Sequence, residues 1–121
     1  MQISIKATHH ELTTDTRSLV EDKFRSLERL TQGLADEALL SCEIEQSIAV
    51  ERAGAKYRVE GNLSMDGKLF RVEADGLTLE EAIDKVRDGL VREVTQSRGR
   101  TRELVKRGGA AIKRMLRFSH E

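Results

Sequence analysis

The segment from Asp75 to Arg98 constrains the fold most, because it joins a helix start signal to a long one-sided apolar pattern. In Thr78-Leu79-Glu80-Glu81, the threonine hydroxyl can accept the amide of the third helical residue, and Glu81 can reach back to the cap amide. Apolar residues then recur at three- and four-residue steps: Leu79, Ala82, Ile83, Val86, Leu90 and Val94. This spacing predicts a helix with one apolar side, which must pack on another apolar surface.

Upstream, four segments alternate between apolar and polar residues, which is typical of half-buried strands. Their core-facing residues are predicted to be Ile3, Ile5 and Ala7, then Leu40, Cys42 and Ile44, then Tyr57, Val59, Gly61 and Leu63, and finally Phe70, Val72 and Ala74. Asp66-Gly67 predicts a two-residue type I′ turn that makes the last two strands antiparallel neighbours. Ile48 and Val50 would lengthen the preceding hairpin, whose tip is predicted at 52–55.

A first helix is predicted from about Thr14 to Leu30, with Phe24 and Leu27 on its apolar stripe. Leu12-Thr13-Thr14-Asp15 offers cap hydroxyls and an acid in the first turn. The element order is therefore β-α-β-β-β-α, an α+β fold. One-sided strands and helices favour a four-stranded sheet with both helices packed on one face and solvent on the other.

The apolar stripe of the second helix fades after Gln96. Ser97–Arg102 predicts a frayed end or a linker, and Gly108-Gly109 predicts a second break. The chain is therefore divided into a domain over 1–98 and a basic C-terminal tail over 99–121. Within the tail, Ile112, Met115 and Leu116 fall on one side of a short helical turn, which would be marginal as a helix without a partner.

The formal net charge of zero conceals an asymmetry along the chain. Residues 1–84 carry 10 Lys/Arg and 17 Asp/Glu, whereas residues 85–121 carry 11 and 4. A basic C-terminal third suggests an anionic partner such as nucleic acid or a membrane surface. Alternatively, the two parts of the chain attract each other.

The sequence has no apolar run that approaches a membrane span, and its N-terminus lacks the apolar core of a signal peptide. Cys42 is the single cysteine, so no disulfide framework exists and a reducing compartment is indicated. We therefore expect a soluble cytoplasmic protein without a membrane partner.

No motif for catalysis or cofactor binding is present. Neither GxxxxGK nor GxGxxG occurs, and His9-His10 leave a strand in opposite directions, so a metal site would need further ligands. No catalytic residue, metal, cofactor or small-molecule substrate is predicted, and the chain is not expected to be an enzyme. Base stacking on the open sheet is also disfavoured, because Tyr57 and Phe70 have the phase of core residues.

Charge is the remaining signal. Cationic residues of the two helical segments and of the chain that follows them could line a shared ridge that meets RNA phosphates. The predicted RNA-binding residues are Arg17, Lys23, Arg29, Lys85, Arg92, Arg98, Arg100 and Arg102. The alternative is an ordinary solvated face balanced by Glu21, Asp22, Glu28, Asp84 and Asp88. Both interpretations stay open at this point.

The register of the whole chain resembles the ribosome hibernation-promoting factor family, also called ribosome-associated inhibitors or sigma-54 modulation proteins. The residues that carry the resemblance are Gln2-Ile3-Ser4-Ile5, Glu11-Leu12-Thr13, Val20-Glu21-Asp22-Lys23-Phe24, Leu27-Glu28-Arg29-Leu30, Ala82-Ile83-Asp84, Leu90 and Arg92. The resemblance covers about residues 1–100 and implies the same β-α-β-β-β-α fold. The resemblance depends on the alignment of the whole segment, and no single motif is diagnostic.

The resemblance implies a factor that binds the small ribosomal subunit, through 16S rRNA, in the channel used by messenger and transfer RNA. Such a factor inhibits translation in stationary phase or stress by occupancy. The basic positions of the family carry over onto Arg17, Lys23, Arg29, Arg92 and Arg98. This sequence departs from the family at Ser26, Gly89 and Gln96, where Lys is common, and at Glu80, where many members have Tyr.

A second hypothesis assigns the chain to protein interaction. Here the apolar residues of the tail would dock into a groove on a partner or on an identical chain. The residues proposed for this docking are Ile112, Met115, Leu116 and Phe118. RNA binding and apolar docking differ in their response to salt, which weakens the first steeply.

Overall fold

The computed structural model describes residues 1–32, 37–47 and 56–107, with side chains described up to Thr101. The strands are β1 (Gln2–Thr8), β2 (Leu39–Gln46), β3 (Tyr57–Met65) and β4 (Lys68–Gly76). The helices are α1 (Thr14–Phe24), which continues as a 3-10 helix (Arg25–Thr31), and α2 (Leu79–Arg107). The predicted β-α-β-β-β-α order is confirmed. The predictions for Ile48, Val50, the hairpin tip at 52–55 and the tail beyond 107 lie outside the described residues.

The four strands form one sheet in the order β1-β2-β3-β4. β1 pairs with β2 in parallel, which requires the helical crossover between them. The other two pairings are antiparallel. Asp66 (φ 56°) and Gly67 (φ 72°) both have positive φ, as the predicted type I′ turn requires.

The strand registers align the core-facing residues into rows that run across the sheet. One row joins Ile3, Leu40, Leu63 and Phe70, and the next joins Ile5, Cys42, Gly61 and Val72. Residues of the central strands in these rows are buried, and those of the edge strands are half-buried. The intervening residues are more exposed, so the sheet has one apolar and one solvent face, as predicted.

The two helical segments cover the apolar face. Val20, Phe24 and Leu27 are fully buried, in one core with the apolar residues of α2 and of the sheet. Phe24, Leu27 and Leu30 are spaced by three, and residues at this spacing lie in line in a 3-10 helix. The sequence predicted one α-helix over this range, but the last part adopts the tighter form that keeps this line toward the core.

A threonine caps the N-terminus of each α-helix. Thr13 Oγ1 accepts the amide of Thr16 at 3.1 Å, and Thr78 Oγ1 accepts the amide of Glu81 at 3.1 Å. Glu81 Oε2 accepts the amide of Leu77 at 3.2 Å, one residue before the predicted cap amide. The hydrogen bond from the Glu81 amide to Thr78 is therefore present as predicted. The side chain of Glu81 accepts the Leu77 amide in place of the predicted Thr78 amide.

α2 is longer than predicted, because it continues through Ser97–Arg102 to Arg107. Contacts from outside the helix hold this part: Lys68 Nζ donates to Ser97 Oγ at 3.1 Å, and the Arg98 guanidinium donates to the Leu30 carbonyl. The expectation of a frayed end or linker is wrong here, since tertiary contacts replace the apolar stripe. The division into a domain over 1–98 and a tail over 99–121 stays a prediction.

Candidate nucleic-acid interface

The two faces of the molecule differ in charge. On the open face of the sheet, Lys6, Glu43, Glu60 and Glu73 form one row across all four strands. Arg71 pairs with Glu60 at 2.8 Å, and Arg58 pairs with Glu73. These pairs occupy Arg58 and Arg71, the cations that β3 and β4 carry on the open face, so this face has little to offer a phosphate chain.

The helical side is organised by two contacts that hold α1 and the 3-10 helix against α2. Lys23, near the end of α1, reaches Glu80 and Asp84 in the first turns of α2. Farther along, Arg98 donates to the carbonyl of Leu30 at the end of the 3-10 helix. The two helical segments therefore run side by side in the same direction.

Lys23 is the predicted RNA-binding residue most strongly engaged with its own protein. Its Nζ lies 2.8 Å from Glu80 Oε1 and 3.2 Å from Asp84 Oδ1. The hydrogen bonds to Glu80 and then to Asp84 raise the pKa of Lys23 above its ordinary value. Arg87 Nη1 also lies 3.1 Å from Asp84 Oδ1, so this carboxylate serves two cations, although Oδ1 itself is in no hydrogen-bond geometry.

Two further predicted residues are also engaged. Lys85 Nζ lies 3.1 Å from Glu81 Oε1 and donates to the Asp75 carbonyl at 3.0 Å. The Arg98 guanidinium sits at the C-terminal end of the 3-10 helix, where a cation is favoured by the exposed carbonyls. These side chains hold α2 to its neighbours, and a phosphate would have to compete with those contacts.

Four predicted residues are exposed and form no ion pair within the part of the chain that the structure describes: Arg17, Arg29, Arg92 and Arg100. Two of them line depressions on the helical side. Arg29 and Ser26 belong to one of about 690 Å³, and Arg92 and Gln96 to another of about 370 Å³. These four guanidinium groups are the ones free to meet phosphates.

The arginines of α2 do not form one strip. At roughly 100° per residue, Arg92 and Arg98 are separated by about 120° around the helix axis, and Arg98 and Arg100 by about 160°. Arg98 faces the 3-10 helix, so Arg100 points to the other side of α2. The structure thus ties Arg98 to the carbonyl of Leu30, the residue after Arg29. The side chain of Arg102 lies outside the described residues.

The positions at which the sequence departs from the family fall in three different environments. Ser26 and Gln96 are exposed, so lysines there would add to the cationic surface. Gly89 is buried, and a Cβ at this position would lie 2.7 Å from Val72 Cγ1. Position 89 of this chain therefore lies against β4 and is closed to RNA. Glu80 is exposed and holds Lys23.

Sequence reasoning named Asp84 among the balancing carboxylates, but it missed Glu80 as the partner of Lys23 and the carbonyl that binds Arg98. Both contacts join residues that are more than 55 positions apart in the chain, so no helical spacing rule could have indicated them. The sequence left two interpretations of these cations open, an RNA-binding ridge and a solvated face balanced by carboxylates. The second fits Lys23 and Lys85, which are paired with carboxylates. It does not fit Arg17, Arg29, Arg92 and Arg100, which form no ion pair in the described part of the chain.

Within residues 1–32, 37–47 and 56–107 there is no group of three or more His, Cys, Asp or Glu placed to hold a metal ion. No helix among these residues is long and apolar enough to span a membrane.

Comparisons with known proteins give one family. The model of the family described as "Sigma 54 modulation protein / S30EA ribosomal protein" matches residues 3–102. The chain is similar to the solved N-terminal domain of Protein Y from Thermus thermophilus, with 29% identity, a TM-score of 0.63, and coverage of 79% of this chain and 98% of that one. It shares its fold with a ribosomal subunit interface protein from Coxiella burnetii, with 16% identity, a TM-score of 0.65, and coverage of 82% and 99%. A comparison with curated protein sequences gave no significant match.

Proposed function

The chain belongs to the sigma 54 modulation protein / S30EA ribosomal protein family, and from that premise we propose that it is a non-enzymatic, ribosome-binding factor of the cytoplasm. The factor binds the small ribosomal subunit and occupies the channel of messenger and transfer RNA. It thereby inhibits translation in stress or stationary phase. The observation that carries this proposal is the family match over residues 3–102, which covers all of the described strands except Gln2 and most of α2.

The charge distribution supports the same proposal. The helical side carries four exposed, unpaired arginines in the described part of the chain, whereas the open face of the sheet carries a row of three glutamates. An RNA surface attracts the first side and repels the second. The proposed RNA-binding residues are therefore led by Arg29 and Arg92, with Arg17 and Arg100 at the periphery. Lys23, Lys85 and Arg98 have to exchange an internal contact for a phosphate, and Arg102 stays a prediction.

Co-sedimentation with purified 30S subunits over a series of salt concentrations tests the proposal. Each phosphate contact contributes roughly 0.7–0.9 to the slope of log affinity against log salt. We expect salt-sensitive binding, and a variant with Arg29→Gln and Arg92→Gln should have a slope reduced by about 1.4–1.8.

The matched control carries the same change of charge on the opposite face. Lys6→Gln with Arg71→Gln removes two cations from the open face of the sheet, where both side chains are exposed. This variant should keep the affinity and slope of the wild type. Binding that ignores salt, or equal losses in the two variants, would refute an RNA interface on the helical side.

A further inference from the structure

The contacts of Lys23 lead to an inference about how this interface is regulated, and it rests on the proposed function. We infer that Glu80 is an electrostatic gate, a carboxylate that competes with RNA phosphate for the ammonium group of Lys23. Glu80 Oε1 is the nearest anion to Lys23 Nζ, at 2.8 Å. Its hydrogen bond is also the largest contribution to the raised pKa of Lys23. The gate lies where α1 meets the first turns of α2.

The exposures of the three side chains indicate that Glu80 is the part of this cluster that can be displaced. The side chain of Glu80 is 60% exposed, against 34% for Asp84 and 25% for Lys23. An exposed ion pair is easily exchanged for water or for another ion. Glu80 therefore occupies the ammonium group of Lys23 only until an RNA phosphate displaces it.

The two carboxylates also differ in their other partners. Asp84 keeps Arg87 Nη1 at 3.1 Å when Lys23 leaves. Glu80 forms no ion pair with another cation among the described residues, so its effect on anion binding acts through Lys23. Asp84 thus keeps an i,i+3 ion pair within α2, whereas Glu80 pairs with Lys23 alone among the described residues.

Removal of the Glu80 charge should therefore strengthen binding in a way that depends on Lys23. Glu80→Gln keeps the shape of the side chain and should tighten 30S binding about 1.5- to fivefold, the range that exposed charge pairs span. It should also steepen the salt slope by up to roughly 0.9, since Lys23 then has to leave only Asp84 to contact a phosphate. Both effects should disappear when Lys23→Gln is combined with Glu80→Gln.

Glu93→Gln is the matched control. Glu93 is exposed on the same helix and has no ion pair in the described part of the chain, so this variant changes the net charge equally without touching Lys23. A Glu80→Gln variant that binds no tighter than Glu93→Gln, or that binds tighter even with Lys23→Gln, would overturn the gate and leave the proposed function standing.

A second measurement is needed if neither the wild type nor the Glu80→Gln variant binds 30S subunits, a result that would refute the proposed function. Elution from immobilised heparin by a salt gradient measures the affinity of the same surface for a general polyanion. If the gate exists, Glu80→Gln elutes at higher salt than Glu93→Gln. Equal elution of the two variants would refute the gate, because a freed Lys23 must strengthen binding to any polyanion.

Discussion

Gly89 lies where α2 packs closely against β4. A Cβ there would lie 2.7 Å from Val72 Cγ1, a distance that forces movement. Val72 is β-branched and has little freedom to rotate away. Glycine is unfavourable in the middle of a helix. Here it permits close packing of α2 on the edge strand β4.

We predict that Gly89→Ala destabilises the protein. Overpacking costs about 1–3 kcal/mol, and this exceeds the gain of about 1 kcal/mol that alanine offers in a helix. Urea unfolding should show a net loss of about 1 kcal/mol. Gly99→Ala is the control, because its Cβ would have nothing within 4 Å, and it should stabilise α2 by about 0.5–1 kcal/mol. A Gly89→Ala variant as stable as the wild type would contradict this account.

A second prediction about a single residue concerns Cys42. The thiol is fully buried, and burial raises its pKa to about 12. In the unfolded chain the thiol ionises near its ordinary pKa, so above about pH 9 the unfolded state binds fewer protons and the free energy of unfolding falls as pH rises. The loss is at most about 1.4 kcal/mol per pH unit.

The measurement is the free energy of unfolding between pH 8 and pH 11 for the wild type and for Cys42→Ala. The difference between the two should shrink as pH rises, since only the wild type carries this thiol and the other titrating groups are shared. In the folded wild type, the thiol should also resist alkylation at pH 8, because only the thiolate reacts. Rapid labelling without unfolding would show that Cys42 is accessible.

At the scale of the elements, the start of α2 carries the clearest prediction. Thr78 Oγ1 accepts the Glu81 amide at 3.1 Å, and the side chain of Glu81 in turn accepts the Leu77 amide. Thr78→Ala removes the first bond and should cost about 1 kcal/mol of stability. Thr95→Ala, an exposed position in the middle of the same helix, should be neutral or slightly stabilising. Equal effects in urea unfolding would show that the cap contributes nothing.

The elements that were predicted well have signals within their own segments. Strand alternation placed Leu40, Cys42 and Ile44 on the buried face, and Asp66-Gly67 fixed the β3–β4 turn. The two errors lie at helix ends, where the outcome depends on remote residues. Ser97–Arg102 stays helical because Lys68 and the Leu30 carbonyl contact it, and nothing near Gln96 in the sequence indicates those partners.

At the scale of the whole molecule, the sequence predicts a cationic interface but not how its side chains are arranged. Cationic residues on two helical segments were evident from spacing. Which of them are already occupied was not, because the Lys23–Glu80 and Arg98–Leu30 contacts depend on how the helical segments pack. The family resemblance is confirmed by the match over residues 3–102, whereas the assignment of individual RNA-binding residues stays a prediction.

The alternative role of the tail can be tested on the whole chain. If the helical side carries the interface, Ile112→Ser with Leu116→Ser should leave 30S co-sedimentation within about twofold of the wild type, since substitutions outside an interface change free energies by only about 0.5 kcal/mol. The salt slope should also be unchanged. Loss of binding that is independent of salt would instead favour apolar docking through the tail.

The parallel pairing of β1 with β2 has a consequence for the order in which the chain assembles. The β3–β4 pairing closes over the two-residue turn at Asp66-Gly67, whereas β1 can pair only after α1 and the 3-10 helix are spanned. Long loops cost entropy before their contacts form. The antiparallel meander is therefore expected to nucleate folding. The N-terminal strand, an edge with one neighbour, should join last and exchange its amide hydrogens first.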